Sequence, residues 1–326
     1  MTSGLDRSTD WASAVADLVV CPACRAALDL AGDRIRCRNA DCRRSASGYP
    51  WIDGVPGLID FDRSIVAEDA LLAAQGQSAV ARGGAVWQRL SDVAYTLSGI
   101  QGGLDRRAAA FLDAVRLAAG EGAVVLIVGG AGMSRHSPFR TAVDMRLVAS
   151  DIYHSPLTDV LADGHYLPFR DGTFDGVAVQ AVLEHVLEPA VVVSEIHRVL
   201  KPGGVVYAET SFLQQVHEAA FDFVRFTHSG HRWLFREFEE IQSGAADGPG
   251  YVMVWSIRYL ARGLARTKLA GIAVAMAMLW IRLFDKLIPA AFAIDGTSAV
   301  FFIGRKAGRP LGAKDMIAYY RGAGRR

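Results

Sequence analysis

This chain shows no dominance of either charge. Over 326 residues, 35 Lys and Arg face 34 Asp and Glu, and the net charge of +1 alone names no charged partner. Long apolar runs are absent too: the longest without a charge, Leu269 to Ile281, is 13 residues, short of the roughly 18 to 20 a membrane span needs. The N-terminus lacks a basic start followed by an apolar core. No secretory signal is therefore expected, and a cytoplasmic protein is the expectation. Cysteine is scarce. All four lie between residues 21 and 42, which argues against scattered disulfides and for one local site.

What is present is unevenly placed. From Tyr251 onward, 13 Lys and Arg stand against 3 Asp and Glu, so this part carries +10 and the preceding 250 residues carry −9. A basic end suggests an anionic partner such as a phosphorylated lipid, a membrane surface or nucleic acid; a solvated tail fits equally. Cys21 and Cys24, then Cys37 and Cys42, form two close-spaced pairs separated by a hairpin's length. Two tight turns, each offering two thiolates, meet the tetrahedral demand of structural zinc, and four thiolates leave no open position for substrate. Arg25, Arg34, Arg36, Arg38, Arg43 and Arg44 crowd this segment and could contact phosphates.

Val124 to Val128 reads as a buried strand running into Gly129-Gly130-Ala131-Gly132, a turn that lets backbone approach a ligand at a switch point. Arg146 to Ser150 reads as a second strand ending at Asp151-Ile152, where a carboxylate could accept from two ribose hydroxyls. Too few residues follow before Asp159 for a helical crossover, so a turn near Ser155-Pro156 is expected. Val177 to Val182 reads as a strand, the helix after Pro189 stops at Lys201-Pro202-Gly203-Gly204, and Val205 to Ala208 is the next strand. Strand, helix and strand in this order form a parallel crossover of an α/β sheet. Ala299 to Gly304 reads as a late strand. Ile65 to Gly120 reads as helices, the last being Asp105 to Ala118.

Asp163, Leu167-Pro168-Phe169, Phe174-Asp175, Glu184-His185-Val186 and Arg198 to Gly204 together resemble the centre of class I S-adenosylmethionine-dependent methyltransferases of the type 11 kind. The resemblance implies a Rossmann-like, mostly parallel α/β sheet with helices on both faces, and S-adenosylmethionine as cofactor. It assigns cofactor contacts to Gly129, Gly130, Gly132, Asp151, Ile152, Asp163, Gly164 and Gln180, with the Asp163 carboxylate meeting the adenine amino group. The lesser alternative at residues 151 and 163 is a turn or capping Asp. The chain departs from the family at Ile127, where an acidic residue is usual, and at Ala131, where glycine is. His185, after the fourth strand, is the candidate base. The Asn/Asp-Pro-Pro-Tyr signature of amino-group nucleic-acid methyltransferases is missing. Tyr49 to Pro56 resembles the end of zinc ribbons that precede some bacterial methyltransferases.

His217, Asp222, Arg225, His228 and His231 resemble an insertion in methyltransferases of polysaccharide and cell-envelope biosynthesis, and could bind a sugar hydroxyl or phosphate; their spacing matches no metal motif. Arg258, Arg262 and Arg266 fall on one helical stripe before the apolar Leu269 to Ile281, so residues 256–288 could touch an anionic bilayer at the inner face of the membrane, or pack in a core or dimer interface. The end from Arg321 reads as a disordered tail. The expected organisation is a ribbon over 1–62, a helical lid over 63–120, a core over 121–250 and 295–306, a basic and apolar helical extension over 251–294, and a basic tail over 307–326. The expected activity is O-methylation of a glycan, glycolipid or envelope metabolite. The alternatives are an RNA methyltransferase with a ribbon for recognition, and a non-catalytic partner protein.

Overall fold

The computed structural model describes residues 15–74, 100–133 and 137–325. Two sheets are present. The first is small and antiparallel, with β1 (Leu28–Asp29), β2 (Arg34–Cys37), β3 (Tyr49–Ile52) and β4 (Val55–Pro56) in sequential order. The second has seven strands: β5 (Val124–Val128), β6 (Arg146–Asp151), β7 (Val160–Leu161), β8 (Phe174–Gln180), β9 (Leu200–Ser211), β10 (Phe238–Ala245) and β11 (Ala299–Lys306), in the order β10-β11-β9-β8-β5-β6-β7. Pairings β5 to β6 and β6 to β7 are parallel, whereas β10 and β11 are antiparallel. Counted from β5, this is the doubly wound order 3-2-1-4-5 with an antiparallel pair added at one edge, and it reverses between β5 and β8. Ligands of such sheets bind at that reversal, beyond the carboxyl ends of the strands.

Two compact units divide the chain, each discontinuous in sequence. The first comprises residues 1–79, 115–178 and 188–205. Its apolar strands β5 to β7 are buried on both faces, as Val125, Leu126, Val148, Val160 and Leu161 show, which is what crossover connections demand. The four-stranded ribbon is part of this unit's core. Val19 pairs with Phe169, Gly57 pairs with Leu161 alongside β7, and Ile52, Ile59, Leu71 and Leu161 form one apolar cluster. The short β6 to β7 connection is a turn held by Thr158, whose amide donates to the Ser155 carbonyl.

Two expected boundaries moved. The fourth strand starts at Phe174 instead of Val177, because Asp175 is used inside the unit: its carboxylate accepts from Lys201 Nζ and from the Val124 amide. Lys201-Pro202-Gly203-Gly204 does not separate helix from strand. The helix Pro189–Val199 ends when Leu200 becomes extended, and the four residues belong to β9, with Gly203 at φ 78°.

The second unit comprises 80–114, 179–187 and 206–326. Its core is the antiparallel β10–β11 pair with Phe235, Phe238 and Phe302 packed together, Phe235 stacked on Phe302 with centroids 5.1 Å apart. The helix that contributes to it runs from Ile100 to Ala119, longer than expected. The C-terminal helices are Pro249–Ala265, Lys268–Ala277 and Ala290–Gly296, with a 3-10 stretch over Leu279–Leu287. The arginine stripe is shorter than expected, since Arg266 is left-handed at φ 54° and ends the helix. The final residues are also tied down: Arg321 pairs with Glu240 at 2.8 Å and Tyr320 donates to Asp295. Among the described residues, no helix is long and apolar enough to cross a membrane.

Candidate functional site

Within the first unit, the carboxyl ends of β5, β6 and β7 are knitted together. Gly129 turns left-handed at φ 78°, which suits glycine, and Gly130–Gly132 form a 3-10 turn. Gly130 is packed so closely that an added Cβ would lie 2.9 Å from the Ala149 Cβ. Its neighbour Ala131 donates its amide to Asp151 Oδ2 at 2.9 Å, while Asp151 Oδ1 accepts from the Tyr153 amide. The expected ribose residue is thus oriented by the glycine loop itself, with Ile152 half-buried beside it.

Asp163 is 5% exposed. Its Oδ1 accepts from the His165 amide and lies 2.6 Å from His165 Nδ1, and its Oδ2 accepts from Ser64 Oγ at 2.5 Å. Burial pushes its pKa up, but the bonds from His165 and Ser64 outweigh that and hold it below the usual carboxylate range. The capping role left open by the sequence is in place. Gly164 is buried, with Val192 against the space a Cβ would take.

The four cysteines meet. Sulfurs of Cys21 and Cys42 are 3.8 Å apart, those of Cys24 and Cys37 are 3.4 Å apart, and none is in a disulfide. Zn–S bonds of about 2.3 Å in a tetrahedron require sulfur separations near 3.8 Å, so the donor set fits zinc. Tyr49 OH lies 3.1 Å from Cys21 Sγ, placed to orient that ligand. The ribbon arginines are less available than expected for phosphate: Arg25 pairs with Glu195, Arg34 and Arg44 with Glu68, and Arg43 with Asp60.

The second unit holds the remaining candidates. Gln180 Nε2 donates to Tyr207 OH, which donates to Glu209, whose two oxygens accept from Arg107 at 2.7 and 2.9 Å. Ala181 follows at φ 50°, an uncommon conformation for a residue with a Cβ, of the kind that clusters at functional sites. His185 Nδ1 is 2.8 Å from the Phe221 carbonyl. That nitrogen must carry the proton, which leaves the Nε2 lone pair to act as acceptor.

The predicted substrate cluster separates into two groups. His217 lies edge-on to His185 with centroids 4.8 Å apart, and its amide donates to Asp222. Asp222 is in turn paired with Arg225. Asp222 and Arg225 line an open depression of about 560 Å³ with Gln214, Val216 and Tyr259. His228 and His231 are elsewhere: both are buried, on the helix His228–Leu234. His228 stacks on Tyr319 and lies 3.0 Å from Ser243 Oγ, and His231 lies 3.0 Å from Thr210 Oγ1. Burial lowers the pKa of His228, and that of His231 to about 3. These two histidines support the core.

Residues 115–208 match the model of a methyltransferase domain. A demethylmenaquinone methyltransferase of Symbiobacterium thermophilum is 44% identical over 62 residues, 19% of this chain and 25% of that protein. The chain thus spans about a quarter of that relative's length, and 13% of a second one, an uncharacterized 37.1 kDa transposon protein of Streptomyces fradiae that is 48% identical over 44 residues, 14% of this chain. Among solved structures, a 1,6-didemethyltoxoflavin-N1-methyltransferase of Burkholderia thailandensis shares 17% identity, covering 70% of this chain and 92% of that one, with a TM-score of 0.37. The methyltransferase domain contains the glycine loop, Asp151, Asp163, Gln180 and His185. Ser64, the Arg107 to Glu209 pair and the partners of His185 lie outside it, and their long sequence separations hid them from motif reading.

Proposed function

We propose that this chain transfers a methyl group from S-adenosylmethionine to an oxygen of a glycan, glycolipid or related envelope metabolite. The observation that carries the reading is the methyltransferase-domain match over residues 115–208, with the loop Gly129 to Gly132 bonded to Asp151 at the strand ends. Gly129, Gly130 and Gly132 would take the methionine part through backbone, Asp151 and Ile152 the ribose, Asp163 and Gly164 the adenine, and Gln180 the neighbourhood of the sulfur. The cofactor supplies a methyl group on positively charged sulfur that needs no further activation. The protein's task is to align the acceptor, exclude water and receive one proton. His185 would receive it at Nε2, its Nδ1–H being held on the Phe221 carbonyl. A structural zinc on Cys21, Cys24, Cys37 and Cys42 would stabilise the ribbon.

The acceptor reading is supported by the open depression lined by Gln214, Gln215 and Tyr259; Asp222 and Arg225, bonded to each other, hold its wall in place. Contact with an anionic membrane surface through residues 256–288 is supported by the exposed Leu260, Leu264, Leu269, Trp280, Leu283 and Leu287, alternating with basic residues. A ribbon that binds RNA is less well supported, because acidic side chains occupy four of its six arginines. The test is single-turnover methyl transfer to envelope glycolipid extracts. His185→Ala should lower turnover about 10²- to 10⁴-fold while cofactor affinity holds; full turnover in that variant would remove His185 as the base.

A further inference from the structure

Glu184 has no part in the transfer described above, yet it is only 1% exposed. Its Oε1 lies 2.6 Å from the Ser211 hydroxyl, whereas Oε2 is buried without any hydrogen-bond partner among the described residues. The nearby guanidinium of Arg225 is directed to Asp222 and to the carbonyls of Gln214 and Gln215. A buried carboxylate oxygen left without a partner is costly, and it points to a cation as the missing partner.

We propose that Glu184, His185 and His217 form a binding site for a divalent first-row transition-metal cation. One carboxylate oxygen and one ring nitrogen from each histidine all lie within 4.8 Å of one another. Metal–nitrogen and metal–oxygen bonds of about 2.0 to 2.2 Å need donors nearer 3 to 3.5 Å apart, so binding draws the side chains inward by small rotations. Nδ1 of each histidine already has an acceptor beside it. His185 Nδ1 faces the Phe221 carbonyl, and His217 Nδ1 lies 3.3 Å from the Gln215 carbonyl and 3.5 Å from Asp222 Oδ2. Metal-bound histidines hold their second nitrogen on a carbonyl or carboxylate in this way, which leaves Nε2 for the ion. Two imidazoles and one carboxylate select nitrogen- and oxygen-preferring ions, unlike the four thiolates of the ribbon. Three ligands leave positions open for water or an acceptor oxygen. In that state His185 Nε2 is a ligand and not a base, so the two roles exclude each other.

The binding proposal stands whether or not methyl transfer is demonstrated, and its test does not read activity. Full-length protein with the cysteine site loaded with zinc is titrated with Mn²⁺, free ion being followed by electron paramagnetic resonance. One Mn²⁺ per chain is expected, bound at least ten-fold more weakly by His217→Ala and by Glu184→Gln, and equally well by His154→Ala. His217 is half-buried, so its alanine variant decides the matter even if Glu184→Gln does not fold. No Mn²⁺ or Co²⁺ bound by the wild type at millimolar concentration, or undiminished binding by His217→Ala, would overturn the proposal.

Discussion

His231 is buried and neutral, with a pKa lowered by burial from 6.5 to about 3. Between those values the unfolded chain takes up a proton here that the folded protein refuses. Stability is therefore fully present above pH 6.5 and lost as pH falls, at about 1.4 kcal/mol per pH unit. His228, lowered in the same direction, adds to the slope. The lowered carboxylates Asp163 and Asp222 act with the same sign, but only in more acidic solution. Urea denaturation of the wild type and His231→Gln between pH 6.5 and 5 should show the variant's slope reduced by one proton; parallel slopes would contradict the assignment. Arg107 and Glu209 make a second residue-scale prediction. Both side chains are 11% exposed, and Arg107→Ala leaves a buried carboxylate beside Tyr207. Such a loss costs about 3 to 5 kcal/mol, measurable as a fall in unfolding free energy, and it should loosen Gln180 through Tyr207.

Among the elements, the glycine loop and the ribbon carry the clearest consequences. Gly130→Ala places a Cβ 2.9 Å from Ala149, and overpacking of this kind costs about 1 to 3 kcal/mol. The expected outcome is a lower melting temperature together with at least ten-fold weaker cofactor binding. Unaltered affinity would separate the loop from the cofactor. For the ribbon, Cys21→Ser or strong chelation should remove one zinc per chain by elemental analysis and lower the melting temperature, since a segment this small depends on its metal.

The elements that sequence reading located are those with continuous apolar runs, β5 and β11 above all. The apolar run alone began β8 at Val177, because Asp175-Gly176 interrupts it although Asp175 is bonded on both sides, and it missed the start of β9, where Lys-Pro-Gly-Gly has the chemistry of a turn. The glycine loop with Asp151, and the four cysteines, were legible as groups because each closes over about twenty residues of chain. Ser64 on Asp163, 99 residues away in sequence, and His217 beside His185 depend on tertiary contacts that no spacing encodes. The five-residue substrate cluster failed for the same reason: His228 and His231 sit on a helix whose buried face points into the core.

At the scale of the whole molecule, the chain carries a doubly wound sheet, a ribbon within the first unit's core, and a basic, apolar-rich C-terminal segment. The last makes its own prediction: vesicles containing anionic lipid should pull the protein down at low salt and release it at high salt, because exposed charges are screened beyond a Debye length of about 8 Å at physiological salt, and Arg258→Glu with Arg262→Glu should abolish the effect. The central claim is that the altered loop at Gly129 to Gly132 still holds S-adenosylmethionine. Isothermal titration calorimetry of the full chain tests it most directly. Saturable one-to-one binding, weakened by Asp151→Ala, is the predicted result; no heat at about 1 mM cofactor, where even a 4 kcal/mol interaction half-fills the site, would contradict the account.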